Sequence, residues 1–118
     1  MDAFNITELI KQREQTARSY LEFFRADRLS LGIYHLAAGA RDPQQPHGED
    51  EVYYVVSGRG SVKVDEEERE VERGDVIFVR AGVEHRFHFI TEDLTLLVFF
   101  APAEYSAASE EGKSDGTR

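Results

Sequence analysis

Residues 51–79 read EVYYVVSGRGSVKVDEEEREVERGDVIFV, and this stretch decides the fold class. Val52, Tyr53, Tyr54, Val55 and Val56 form an unbroken β-branched and aromatic row, which favours a strand over a helix. Ser57-Gly58-Arg59-Gly60 reads as a turn, and Ser61–Val64 pairs with Arg69–Glu72 as a hairpin about Asp65–Glu68. Arg73-Gly74-Asp75 then turns the chain into another strand, Val76–Val79.

The same period of two continues on both sides. Upstream, Ser19–Arg25 and Arg28–Leu36 read as strands joined at Ala26-Asp27, and a loop from Gly39 to Asp50 carries Pro43 and Pro46. Downstream, Ala81-Gly82-Val83 leads into His85–Ile90, and Leu94–Phe100 is the last strand. Only Asn5 to about Arg18 suits a helix, with Asn5 as cap and Glu8 three residues on. Eight or nine short strands and one short helix predict an all-β sandwich or barrel. One domain over residues 1–103 is expected, with residues 104–118 a flexible tail, because Ala103 to Arg118 has no large apolar side chain except Tyr105.

Composition narrows the function. Fourteen Lys and Arg against 23 Asp and Glu leave a net charge of −9, which repels phosphate backbones and anionic lipid, so neither nucleic acid nor membrane is an expected partner. The absence of cysteine removes disulfides, thiolate metal sites and a Cys nucleophile. No apolar run is long enough for a membrane helix and the first residues lack a signal-peptide core, which predicts a cytoplasmic protein.

Gln45, His47 and Glu51 share one parity, so in an extended segment their side chains project from one face, and His85 joins them from another strand. His88 lies three residues from His85 and so faces the other way on a strand. Two imidazoles and a carboxylate form a set that Fe, Zn, Mn, Ni or Co accepts. Tyr53, Val55, Phe87 and Phe89 are the expected pocket wall, suited to a partly apolar substrate.

These residues resemble the cupin family. Gly39, His47, Glu51 and Gly58 match the spacing of its first motif, and Gly74, Gly82 and His85 that of its second. The resemblance covers about residues 28–101 and implies a double-stranded β-helix, the cupin jelly-roll barrel. It implies one divalent metal on His47, Glu51 and His85, with Gln45 standing where the family has its first metal-binding His. Arg80 and Phe89 replace a motif Pro and Asn. The family hosts several chemistries. A dioxygenase-type oxidoreductase, with Glu51 as ligand or base, is the first expectation, favoured by a length that leaves no room for an attached output domain. A metal-assisted isomerase, epimerase or cyclase and a non-enzymatic small-molecule binding domain are the alternatives. Strand Ser19–Arg25 is apolar enough to need covering, and small cupins commonly pair through such strands, which implies a homodimer.

Overall fold

The computed structural model describes residues 1–105. Helix α1 (Ile6–Thr16) is followed by six strands: β1 (Tyr20–Ala26), β2 (Leu29–Leu36), β3 (Asp50–Val64), β4 (Glu67–Glu72), β5 (Val76–Val79) and β6 (His85–Ala101). Asn5 caps the helix as expected, its side chain accepting from the Glu8 N–H at 3.2 Å. Leu9 is the buried residue of α1, which packs against β1 and β2. No described helix is long and apolar enough to cross a membrane.

The strands are antiparallel and follow the order β1-β2-β6-β3-β4, with β5 also pairing β3. Two of them are far longer than the sequence suggests. The segment 57–60, expected to be a turn, continues β3 through to Val64, and β6 runs unbroken from His85 to Ala101. The glycines there build bulges instead of reversals. β3 and β6 pair along most of their length, with register shifts between Val55 and Ser57, Ser57 and Arg59, and Arg59 and Ser61. Gly58 sits at φ +99, and a Cβ there would lie 2.0 Å from the Asp93 carbonyl oxygen, so only glycine lets the two strands cross this closely.

Each bulge also switches which residues face inward. On β3 the buried positions are 51, 53 and 55 before it and 60 and 62 after it. On β6 they are 85 and 87, then 90, 94, 95, 96, 98 and 100. A one-residue slip exchanges the faces of a strand, so parity counted across a bulge gives the wrong side. The inward residues form one core of Tyr34, Tyr53, Val55, Val62, Phe87, Leu96 and Phe100 with their neighbours.

Candidate functional site

A polar group lies inside this apolar core, fed by two strands, one loop and the C-terminal turn. β3 supplies Glu51 and Tyr53, and β6 begins with His85. The loop before β3 supplies Asp42, Gln44, His47 and Glu49, all buried. Glu104 comes from beyond β6 and is 3% exposed.

Tyr53 is the centre of the group and has no solvent exposure. Its hydroxyl lies 2.7 Å from Gln44 Oε1, 3.0 Å from Glu51 Oε1 and 3.0 Å from His85 Nε2. His85 Nδ1 is 3.0 Å from the Val83 carbonyl, which can only accept, so Nδ1 carries a proton and Nε2 faces the cluster. Glu51 Oε2 is 2.8 Å from that Nε2, with both side chains 1% exposed. Burial works against charge on His85. The hydrogen bond and negative charge of Glu51, the Val83 carbonyl and the charge of Asp42 outweigh it, and the imidazole titrates above its ordinary value of 6.5.

Asp42 organises the other side. Its carboxylate accepts from the Tyr34 hydroxyl at 2.7 Å, the Gln44 amide at 2.6 Å and the Phe87 N–H at 2.9 Å. Because Gln44 donates to Asp42, its carbonyl oxygen is the end turned to Tyr53. His47 stands across from His85 with ring centres 6.4 Å apart, and its Nδ1 is 3.9 Å from Glu104 Oε2. Phe100 and Tyr105 rings flank it at 5.2 and 5.9 Å.

The structure therefore brings together His47, Glu51, His85, Tyr53, Val55 and Phe87, and it moves two expected residues elsewhere. Gln45 is exposed, and Gln44 holds the inward position. The count of two holds from Glu51 back to His47 and slips by one between His47 and Gln44, so that both Gln45 and Pro46 face outward. Phe89 is 75% exposed at φ +47, because the β6 bulge turns Ile90 inward in its place. His88 points outward and pairs with Glu68. Asp42 and Gln44 were within reach of sequence reasoning, since Pro43 holds the residues on either side of it extended and directs both the same way. Glu49 shares the parity of His47 and Glu51. Nothing in the residue pattern marks Glu104, which lies one residue past the expected domain end; residues 106–118 of the expected tail are outside the described residues.

The donor set suits a divalent transition metal by type, and two bonds of about 2 Å to one ion require the ligating nitrogens to lie within about 4 Å of each other. It is not closed around one point. Among the described residues no three His, Asp or Glu side chains are grouped closely enough to hold an ion. The donors stand instead as two carboxylate–imidazole pairs, Glu51 with His85 and Glu104 with His47.

The family model for the cupin domain matches residues 32–100, which include Glu51, Tyr53 and His85. The chain belongs to the cupin family. Its fold is accordingly the double-stranded β-helix, with a short helix added at the N-terminus. A protein of Streptomyces coelicolor, the uncharacterized SCO3923, is 49% identical over 104 residues, covering 88% of this cupin and 99% of that protein. The crystal structure of TT1209 from Thermus thermophilus is similar at a TM-score of 0.71 and 28% identity, over 87% of this chain and 99% of that one. An RmlC-like cupin from Shewanella frigidimarina follows at 0.64 and 26%, over 71% and 75% of the two chains.

Proposed function

We propose that this cupin is a small-molecule enzyme whose reaction is a proton transfer within the barrel, with Tyr53 carrying the proton and Glu51 and His85 setting its acidity. The observation that supports this reading is the contact of one buried phenol with a carboxylate, an imidazole and an amide oxygen at 2.7–3.0 Å. A phenol so placed gives up its proton to the carboxylate side or receives one from the imidazole side. Such a relay serves an isomerase, epimerase or cyclase, and it favours that class ahead of the dioxygenase expected from the sequence.

His47, Glu51 and His85 are the residues that would hold a divalent transition metal, in exchange for the charge that Glu51 and His85 now share. Bound there, the ion would act as a Lewis acid on a substrate oxygen. The chain's other residues have their own parts. Asp42 fixes the Gln44 amide, Gln44 orients Tyr53, and Val55, Phe87 and Phe100 keep water out and suit a partly apolar substrate. Tyr53, Glu51 and His85 are all buried, so a substrate reaches them by displacing part of loop 37–49 or of the turn at Ala103–Tyr105.

The test is exchange of substrate C–H for solvent deuterium, followed by proton NMR over a panel of carbonyl compounds and sugar acids. Wild type is expected to wash out one acidic C–H, and Tyr53→Phe to lose that activity with its fold intact. Oxygen uptake without exchange would return the dioxygenase reading. Ligand binding with neither reaction would make the protein a binding domain.

A further inference from the structure

β3 and β6 carry two like charges side by side on the outside of the barrel. Lys63 and Arg86 are register partners, both exposed, on the face away from the buried Val62 and Phe87. Like charges directly opposite each other destabilise a sheet. The carboxylate placed to relieve them is Glu68, which stands opposite Lys63 on β4, but it pairs with His88 instead. Among the described residues neither Lys63 nor Arg86 is in an ion pair. A second unfavourable feature lies beside the first. Phe89 is 75% exposed and holds φ +47, so burial of its ring does not offset the strain of its backbone. Its ring centre is 4.5 Å from that of His88, and the two rings form one aromatic step on the sheet.

Both features line one cleft of about 590 Å³, a volume within the range of small-molecule sites. The end away from the rings is acidic. Asp65 and Glu66 stand at the β3–β4 tip and Glu84 just before β6, and the Asp65 N–H donates to the Glu84 carbonyl at 2.9 Å, which holds that end together. Outward residues of one strand follow each other at roughly 7 Å. Along β6 the cleft therefore presents an acid at Glu84, a cation at Arg86 and then the rings of His88 and Phe89, all within the reach of one small molecule. We propose that this cleft binds a small zwitterion carrying a planar ring, the class of the aromatic α-amino acids. Its carboxylate lies between Lys63 and Arg86, its ammonium toward Asp65 and Glu84, and its ring on Phe89 and His88. A carboxylate there turns one repulsion into two attractions, and a ring there gives the exposed Phe89 a stacking partner. Local strain and unrelieved charge of this kind collect where a protein binds something. The cleft is on the outer face of the sheet, so the inference is independent of the proton transfer proposed inside the barrel.

Amide chemical-shift mapping on the full chain, with L-phenylalanine as the probe, reads both the place and the affinity. Shifts are expected to centre on Lys63, Arg86, His88 and Phe89. Phenylpropanoate lacks the ammonium and phenylethylamine lacks the carboxylate, and each should bind roughly tenfold more weakly or worse. Arg86→Gln should weaken L-phenylalanine binding roughly tenfold. It should also raise the melting temperature, because it removes one of two opposed like charges. Phe89→Gly should lose affinity in the same way and melt no lower than wild type, since glycine relieves the strain. A face that serves solubility alone predicts the same melting temperatures with no binding to lose. Absence of L-phenylalanine binding to wild type at millimolar concentration overturns the proposal, as do shifts that map elsewhere or an affinity indifferent to both substitutions. Equal binding of either analogue overturns the part assigned to the charged group it lacks.

Discussion

Asp42 carries more of the inner polar cluster than any motif residue does. Three donors end on its carboxylate, from Tyr34, Gln44 and the backbone of Phe87. Removing it strands all three in a core that water does not reach, at about 1–3 kcal/mol for each group left unsatisfied. Asp42→Ala is therefore expected to lower the urea midpoint severely. Tyr53→Phe removes one hydroxyl and leaves its ring packed at 5.0 Å from Phe87, so it should cost only about 1–2 kcal/mol. Equal losses in the two variants would show that Asp42 is not the organiser. His85 sets a pH dependence of definite sign. Its folded-state value lies above 6.5, so the native protein binds the proton more tightly than the unfolded chain does. The stabilisation is complete below about 6.5 and disappears as pH rises through the raised value. Metal-free protein should therefore melt at lower temperature as pH climbs from neutral into the alkaline range, and His85→Gln should flatten that slope.

The two long strands owe their shape to particular backbone positions. Gly58 and Gly74 both have positive φ, at +99 and +96, but a Cβ at Gly74 meets nothing within 4 Å while one at Gly58 strikes the Asp93 carbonyl. Gly74→Ala should cost only the left-handed backbone, about 1–2 kcal/mol. Gly58→Ala must in addition push β3 away from β6, and it is expected to lose several times as much; thermal melts of the two variants compare them directly. Phe89 gives the converse case. Its side chain is 75% exposed and its φ is +47, so it combines left-handed strain with little burial. Phe89→Gly should be neutral or stabilising by up to about 1 kcal/mol, since glycine relieves the strain. A clear loss would mean that the phenyl ring makes a contact that outweighs it.

Among the described residues one apolar face is left uncovered. Tyr54, Val76 and Phe78 are 39%, 63% and 57% exposed, side by side on the outer surface of β3 and β5. Among the described residues β5 pairs only with β3, so its other edge is open. β1, the strand expected to need covering, already has Phe4 on it, with ring centres 4.9 Å from Phe23 and 5.9 Å from Phe24. The homodimer expected from the sequence is therefore proposed through β5. Light scattering at micromolar concentration should return about twice the 13.4 kDa chain mass, and Phe78→Asp should return the single chain. A wild-type mass of one chain removes the proposal. A metal bound in the barrel would act on the whole fold through mass action. If His47, Glu51 and His85 take an ion only when folded, a hundredfold excess over the dissociation constant adds about 2.7 kcal/mol of stability, and a chelator should reverse it.

Local alternation of side chains was enough to read the all-β class and the inward placement of His47, Glu51, Tyr53 and His85, and the Asn5 cap with Glu8 three residues on was enough to read the short helix. Alternation is a property of a few consecutive residues, and it holds wherever the strand is regular. It stops holding where the chain leaves that geometry. The count slips by one between His47 and Gln44, which leaves Gln45 facing outward, and the β6 bulge sends Phe89 out and Ile90 in. The glycines at 58 and 60 look like a turn because glycine permits both a turn and a bulge, and only the partner strand decides between them. Glu104 depends on contacts 74 and 79 residues away in the chain. A carboxylate in a polar segment is ordinarily solvated. This one is in the barrel because the β1–β2 hairpin draws the C-terminal turn across it, and that closure exists only once the strands have packed.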